Sequence, residues 1–231
     1  MLEPHDLVAL CTAKEQPQLL AGKTITITAG PTREPLDPVR FISNHSSGKM
    51  GYALAEAALQ LGAKVNLISG PVTIKAPTGV NLINIESAEE LLTESLTYAP
   101  QSDAFIGCAA VADYRAANIA TQKMKKQGDE LTLTLTKNPD VIAAIANLKQ
   151  NRPYTVGFAA ETQNVESYAK GKLKNKNLDM ICANDVSKSG LGFNSDHNAL
   201  TLYWHNEQLE LPTTSKIEIA RKVIEQLAKH L

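Results

Sequence analysis

The chain has 231 residues, 43% of them hydrophobic, with a formal net charge of −1; it can bury one good core, in one domain or at most two. Its near-neutral balance argues against a general nucleic-acid binder, which carries a strong basic excess, and the three cysteines, Cys11, Cys108 and Cys182, show no C-x-x-C spacing, which argues against a disulfide scaffold or a zinc site. The longest apolar run, Phe105 to Ala112, is too short to span a bilayer, and Glu3 and Asp6 stand where a signal peptide would be basic; a reduced, cytoplasmic setting without membrane contact is expected.

Residues 1–20 read as a linker or N-terminal extension, with a short helix begun at Pro4, and residues 21–231 as the domain proper. The first strand is Thr24 to Thr28, five β-branched residues that run into an Ala-Gly turn. A long connection then reaches Gly51, longer than a strand-to-helix turn needs. The Ala-rich helix Tyr52 to Gly62 and a strand over 64–70 complete a βαβ unit, in which anions settle against the amides at the helix N-terminus; Ser46 and Gly48 are the candidates there. Neither standard phosphate fingerprint fits. No G-x-G-x-x-G follows the first strand, and a Walker loop would need a Gly and a Ser or Thr where Ser43 and Met50 stand.

The βα alternation continues. Val80 to Ile85 is predicted as a strand, and Ser87 to Glu90 form a capping box that opens a helix through Leu96. The nearly continuous apolar run 103–112 suits a central parallel strand, ending in Asp113-Tyr114-Arg115 at its carboxyl end, where open α/β sheets bind ligands. Lys123, Lys125 and Lys126 cluster in an aperiodic stretch, and the alternating Leu131 to Leu135 suggests a strand with one wet face. Asn138 as N-cap with Pro139 at the first helical position predicts a helix to about Leu148. Strands at 154–160 and 178–183 flank a helix over 165–176, which places Lys172 and Lys176 one turn apart. A loop over 187–196, a hairpin of 199–204 with 209–211, and an amphipathic helix from Ile217 close the chain. The expected fold is therefore α/β and Rossmann-like: a mostly parallel central sheet flanked by helices, with a C-terminal hairpin or antiparallel addition.

Several side chains have two readings. Arg40 offers a fork of donors to a phosphate or carboxylate, or forms an ion pair with Glu34 or Asp37. Asn44 is a polar donor or the pivot of an Asx turn, and Phe158 is a ligand wall or simply core. A Cys108 nucleophile with His45 as base is disfavoured, because the neighbours of Cys108 are apolar and carry no thiolate-stabilising charge. The small Ala109 and Ala110 permit close approach of a ligand or a second subunit.

Taken together, ITAGPTREPLDPVRFISNHSSGKMG (27–51), GCAAVADYR (107–115), KMKK (123–126), KNPDVI (137–142), VGFAAET (156–162), the K-x-x-x-K of Lys172 and Lys176, and ICANDV (181–186) resemble the phosphopantothenate-cysteine ligase family, in order and over nearly all of residues 21–231. The resemblance implies a ligase that joins 4′-phosphopantothenate to cysteine with CTP through an acyl-cytidylate, aided by magnesium ions whose ligands the sequence leaves unknown. It implies that Lys123 stabilises the first phosphate transition state and that Asn44 holds the intermediate. It also implies that Asp113, Pro139, Asp140, Val141, Ile142, Phe158, Lys172 and Lys176 bind CTP, while Arg40 keeps both readings, a grip on the substrate phosphate or the cleaved nucleotide and an ion pair. A homodimer is implied too, as is fusion to a flavin-dependent decarboxylase, whose end MLEPHDLV resembles. The competing expectations are an NAD(P)-dependent oxidoreductase, disfavoured because Ser69-Gly70 close the second strand where an acidic residue would bind ribose, and a nucleotide-binding regulator without turnover.

Overall fold

The computed structural model describes residues 17–126, 128–161, 163–185 and 195–231. The helix expected from Pro4 and most of the loop expected over 187–196 lie outside these residues.

An eight-stranded sheet organises the fold. Its middle is β1 (Thr24–Ala29), flanked by β4 (Lys64–Ser69) and β6 (Ala104–Gly107), both parallel to it. β5 (Asn81–Asn84) extends the sheet beyond β4 in parallel; β9 (Tyr154–Glu161) and β10 (Met180–Asp185) extend it beyond β6, also in parallel. β11 (His197–Trp204) and β12 (Glu207–Ser215) add the antiparallel hairpin at the far edge. The chain thus moves outward in one direction from β1 through β4 to β5, and in the other from β6 through β9 to β10. The order reverses between β1 and β6, and that reversal opens a crevice at the carboxyl ends of these strands.

Helix α1 (Lys49–Gln60) and the C-terminal α5 (Lys216–Ala228) share one face of the sheet, where Leu54, Ala55, Ala58, Ile219, Val223 and Leu227 join Ile25, Ile27 and Leu67 in the main core. Helices α2 (Ala88–Tyr98), α3 (Val141–Ala146) and α4 (Val165–Asn175) cover smaller cores with Leu91, Ile145 and Ala169. Ser87 caps α2 as expected, accepting the Glu90 N–H at 3.2 Å.

Four local expectations are corrected. The connection after β1 is a hairpin rather than a bare loop, with β2 (Arg33–Asp37) antiparallel to β3 (Arg40–Ser43). Pro35, Pro38 and its many charges hide the pattern. Helix α1 starts at Lys49, because Gly48 takes a left-handed φ of 79° and turns the chain into the helix without a side-chain cap. The central strand stops at Gly107. Beyond it the Cys108 and Ala109 N–H groups donate to Thr28 Oγ1, both at 3.2 Å, so the remaining apolar run hydrogen-bonds to the β1 strand without extending β6. Leu131 to Thr134 are not a strand either: β8 is Leu135–Lys137, antiparallel to β7 (Tyr114–Ala116), and Leu131, Leu133 and Leu135 are exposed.

Two glycines give opposite expectations. A Cβ on Gly70 would lie 1.8 Å from the Pro31 carbonyl oxygen, whereas one on Gly171, inside α4, would meet nothing within 4 Å. Gly70→Ala should therefore destabilise the protein by about 1–3 kcal/mol or more, while Gly171→Ala should stabilise it by about 0.5–1 kcal/mol. Urea denaturation of both variants checks the pair.

Candidate active site

A cavity of about 430 Å³ occupies the crevice between the ends of β1 and β6. Its floor is stitched together by backbone. The Ala110 N–H donates to the Gly30 carbonyl at 2.9 Å, and the Ala110 carbonyl accepts the Thr32 N–H at 3.1 Å. The same carbonyl accepts Asn44 Nδ2 at 2.9 Å. Asn44, Ala109 and Ala110 thus meet at one point, and all three line the cavity.

Thr28 and Thr32, both buried, were legible only as β-branched strand and turn residues. Their hydroxyls hold the segment that follows β6, since Thr32 Oγ1 also accepts the Ala112 N–H at 3.0 Å.

The opposite wall is the turn before α3. Asn138, expected as N-cap, is buried instead: its Nδ2 donates to the Ala112 carbonyl at 2.8 Å, its N–H to the Asp113 carbonyl at 2.8 Å, and its Oδ1 accepts Arg115 Nη1 at 3.0 Å. With that amide committed, capping passes to Asp140, whose Oδ1 accepts the Ala143 N–H at 3.2 Å, and the helix begins at Val141 rather than Pro139. Asn138 therefore ties the Asp113 loop to the Pro139–Ile142 turn, and Asp113, Pro139, Asp140, Val141 and Ile142 all line the cavity.

Phe158, Lys172 and Lys176 complete that side, Phe158 being at once cavity wall and a partly buried neighbour of the core. The lysines are ion-paired: Lys172 with Glu161 at 2.6 Å, Lys176 with Asp140 at 2.9 Å. At the N-terminus of α1, Ser46, Gly48 and Lys49 line the cavity beside Lys216, the first residue of α5. Lys49 pairs with Asp196 at 2.6 Å. Lys216 is only 6% exposed; burial, then the nearby Lys49 charge, pulls its ammonium below the usual lysine range. No local signal marks Lys216, because the fold brings it from the far end of the chain. Asn184, another cavity residue not singled out from sequence, has a buried Oδ1 without a hydrogen-bond partner among the described residues.

Cys108 lines the cavity, but burial pushes its thiol up to about 12, so it is no thiolate nucleophile at neutral pH. Among the described residues no group of three or more His, Cys, Asp and Glu side chains could hold a metal, and no helix is long and apolar enough to cross a membrane. β4 ends in Ser69, whose Oγ meets Tyr52 Oη at 3.0 Å and donates to the Gly70 carbonyl at 2.8 Å, leaving no carboxylate for a ribose at that position.

Lys123 and Arg40 do not line the cavity. Lys123 is exposed beside Met124, and Arg40 takes the ion-pair reading: its Nη2 lies 2.6 Å from Asp37 Oδ2 and its Nε 3.0 Å from the same oxygen. Arg40 Nη2 also donates to the Met124 carbonyl at 2.7 Å, and Asp37 Oδ2 accepts the Met124 N–H at 3.0 Å. Burial would raise the Asp37 carboxyl, but the Arg40 guanidinium and the Val39 and Met124 N–H groups outweigh it and hold it at about 2, against an ordinary 3.8.

A Rossmann-like sheet with a lysine-lined crevice at its switch point and the N-terminus of α1 beside it has the charge and the amide donors that suit an anionic ligand. The profile of the DNA/pantothenate metabolism flavoprotein C-terminal domain matches residues 20–231, and the chain belongs to this family. It is 56% identical over 229 residues to the coenzyme A biosynthesis bifunctional protein CoaBC of Vibrio vulnificus (strain YJ016), a match that takes in 98% of this chain and 57% of that relative; the chain thus spans little more than half of the relative's length. The crystal structure of a CoaBC C-terminal domain superposes with a TM-score of 0.79 at 41% identity, covering 92% of this chain and 97% of that one. A Cab2 variant in complex with phosphopantothenate-cysteine shares the fold, with a TM-score of 0.74 at 17% identity over 97% of this chain and 93% of that one.

The depressed Asp37 carboxyl carries a sign. Its contribution to stability is fully present above the ordinary value of 3.8 and is lost as pH falls through that value toward about 2. The difference in melting temperature between the wild type and Asp37→Asn should therefore be largest near neutral pH and shrink between about pH 4 and 2. Thermal melts across that window measure it.

Proposed function

We propose that this chain is a ligase joining 4′-phosphopantothenate to L-cysteine with CTP, giving 4′-phosphopantothenoylcysteine, CMP and pyrophosphate. The observation that carries the reading is the convergence, in one switch-point cavity, of Asn44, the Ala109-Ala110 backbone, the α1 and α3 N-termini and the lysines 49, 172, 176 and 216, in a chain of this family.

The chemistry demands such a site. A carboxylate is a poor acyl donor, so its oxygen first attacks the CTP α-phosphate and pyrophosphate departs; the cysteine amine then attacks the acyl carbon, CMP departs and the amine loses a proton. Both steps build negative charge, which ammonium groups and amide donors stabilise best in a cavity of low dielectric. In this reading Asp113, Pro139, Asp140, Val141, Ile142, Phe158, Lys172 and Lys176 hold the nucleotide. Ser46 and Gly48 face its phosphates, and Ala109 and Ala110 admit the acyl group. Asn44 spends one amide hydrogen on Ala110 and has a second for the intermediate's oxygen. Arriving phosphates replace the carboxylates that now neutralise Lys172 and Lys176.

Magnesium suits the donor set: it is held by one or two carboxylates plus substrate phosphates, and Asp113 and Asp140 are the cavity carboxylates that would hold it. When bound, it would offset phosphate charge.

We further infer a homodimer, a cytoplasmic setting and fusion to a flavin-dependent decarboxylase in the full-length protein. An apolar face supports the first: Val39, Phe41, Tyr114 and Leu135 are exposed on the β2–β3 and β7–β8 hairpins, which pack on one another.

The test is pyrophosphate release by purified protein with 4′-phosphopantothenate and magnesium, with CTP or ATP, with and without cysteine. CTP-dependent release that yields the cysteine amide supports the reading; hydride transfer, or nucleotide binding without release, would favour the oxidoreductase or regulator instead. Asn44→Ala should lose about 100- to 1,000-fold in overall turnover, the scale of one oxyanion donor, while still forming the acyl-cytidylate. Normal amide formation by that variant would remove Asn44 from its role. Lys123→Gln should abolish the first step, so that labelled CTP yields no acyl-cytidylate; an undiminished pyrophosphate burst would overturn that assignment.

A further inference from the structure

Lys123 carries the first step in the reading above, yet it sits on a stretch with no regular secondary structure. What fixes that stretch is the tip of the β2–β3 hairpin. Met124, the next residue, has both of its backbone polar groups captured: its N–H by Asp37 Oδ2 at 3.0 Å and its carbonyl by Arg40 Nη2 at 2.7 Å. The two captors are themselves joined at 2.6 Å, and Asp37 Oδ1 accepts the Val39 and Arg40 N–H groups, each at 2.9 Å, which closes the hairpin turn. The Asp37 side chain is wholly buried, while that of Arg40 is 43% exposed. A second tie lies four residues upstream, where the Ala120 N–H donates to the Leu36 carbonyl at 3.0 Å. The other end of the hairpin leads through Ser43, whose Oγ donates to the Thr32 carbonyl at 2.7 Å, directly to Asn44.

We infer that Asp37 is a positioning residue for the first step: with Arg40 it brackets the Met124 peptide groups and so ties the preceding residue, Lys123, to the hairpin that leads to Asn44. The inference rests on the ligase reading. Asp37 acts through Lys123 and touches no reactant; Arg40 closes the bracket from the outside. A carboxylate is required because every group around it is a donor, and an Asn amide would turn an N–H toward Arg40 or Met124.

The test compares wild type, Asp37→Asn and Arg40→Gln, the last on a half-exposed side chain so that folding is kept if the buried change proves disruptive. Trypsin cleavage after Lys123, Lys125 and Lys126 is followed by mass spectrometry, beside pyrophosphate-burst kinetics with CTP. Both variants should be cut several-fold faster within residues 123–126 and should lose on the order of 10- to 100-fold in the burst rate, the cost of a small misplacement, with the CTP concentration for half-saturation nearly unchanged.

Unchanged cleavage and burst rate in both folded variants would overturn the inference. Wild-type protein that releases no pyrophosphate would remove the ligase reading instead, and faster cleavage in the variants would then still establish the Met124 anchor.

Discussion

The peptide of Ala110 is the point on which the site depends. Its N–H and carbonyl complete hydrogen bonds to Gly30 and Thr32 across the gap where β1 and β6 part, and the same carbonyl takes the Asn44 amide. A parallel sheet that reverses its order leaves an open crevice there because the two flanking connections leave in opposite directions. Stitching the crevice floor with backbone rather than side chains leaves room above it for a ligand and demands small residues, which Ala109 and Ala110 supply. Thr28 and Thr32 add hydroxyl acceptors from below, so the segment 108–112 is held against β1 and the loop after it at five of its backbone N–H groups or carbonyls without forming a strand.

Much of this was legible in the sequence. The β-branched run at 24–28, the capping box at Ser87, and the alternation of strands and helices gave the sheet and its parallel sense, because burial on both faces leaves continuous apolar runs. The position of the cavity was legible too, since charged and small residues follow β6 and precede α3 at the carboxyl ends of the strands. What escaped depends on long-range partners. Residues 33–43 lack an alternating pattern because Glu34 and Asp37 are buried acids: Glu34 accepts the Ala88 N–H at the start of α2 at 3.0 Å, and Asp37 is surrounded by donors. Asn138 and Asp140 are both good caps. Only the distant Ala112 carbonyl and Arg115 decide which of them is free to cap α3.

The cavity's charges are arranged in pairs. Lys172, Lys176 and Lys49 each face one carboxylate, so the ligand-free crevice is close to neutral at those points although it is lined with cations. Part-exposed pairs of this kind contribute little to stability. They hold extended side chains near the positions where an anion would take them over, and the entropy of ordering those long chains is then partly spent before binding. Lys216 differs in being buried, and burial, then the nearby Lys49 charge, pulls its ammonium below the usual lysine range.

The β2–β3 hairpin joins these parts. One short segment caps α2 through Glu34, fixes Met124 through Asp37 and Arg40, and delivers Asn44 to the Ala110 carbonyl. Its outer surface, with Val39 and Phe41 exposed and Arg33 stacked 4.7 Å over the Phe41 ring, is the apolar face on which the proposed subunit contact rests. A displacement of that face would be felt at Asn44 and Met124, since antiparallel pairing and the Asp37–Arg40 ion pair, with its buried carboxylate, restrain the hairpin between them. In the homodimer proposed above, the subunit contact and the geometry of the site would draw on the same eleven residues, 33–43.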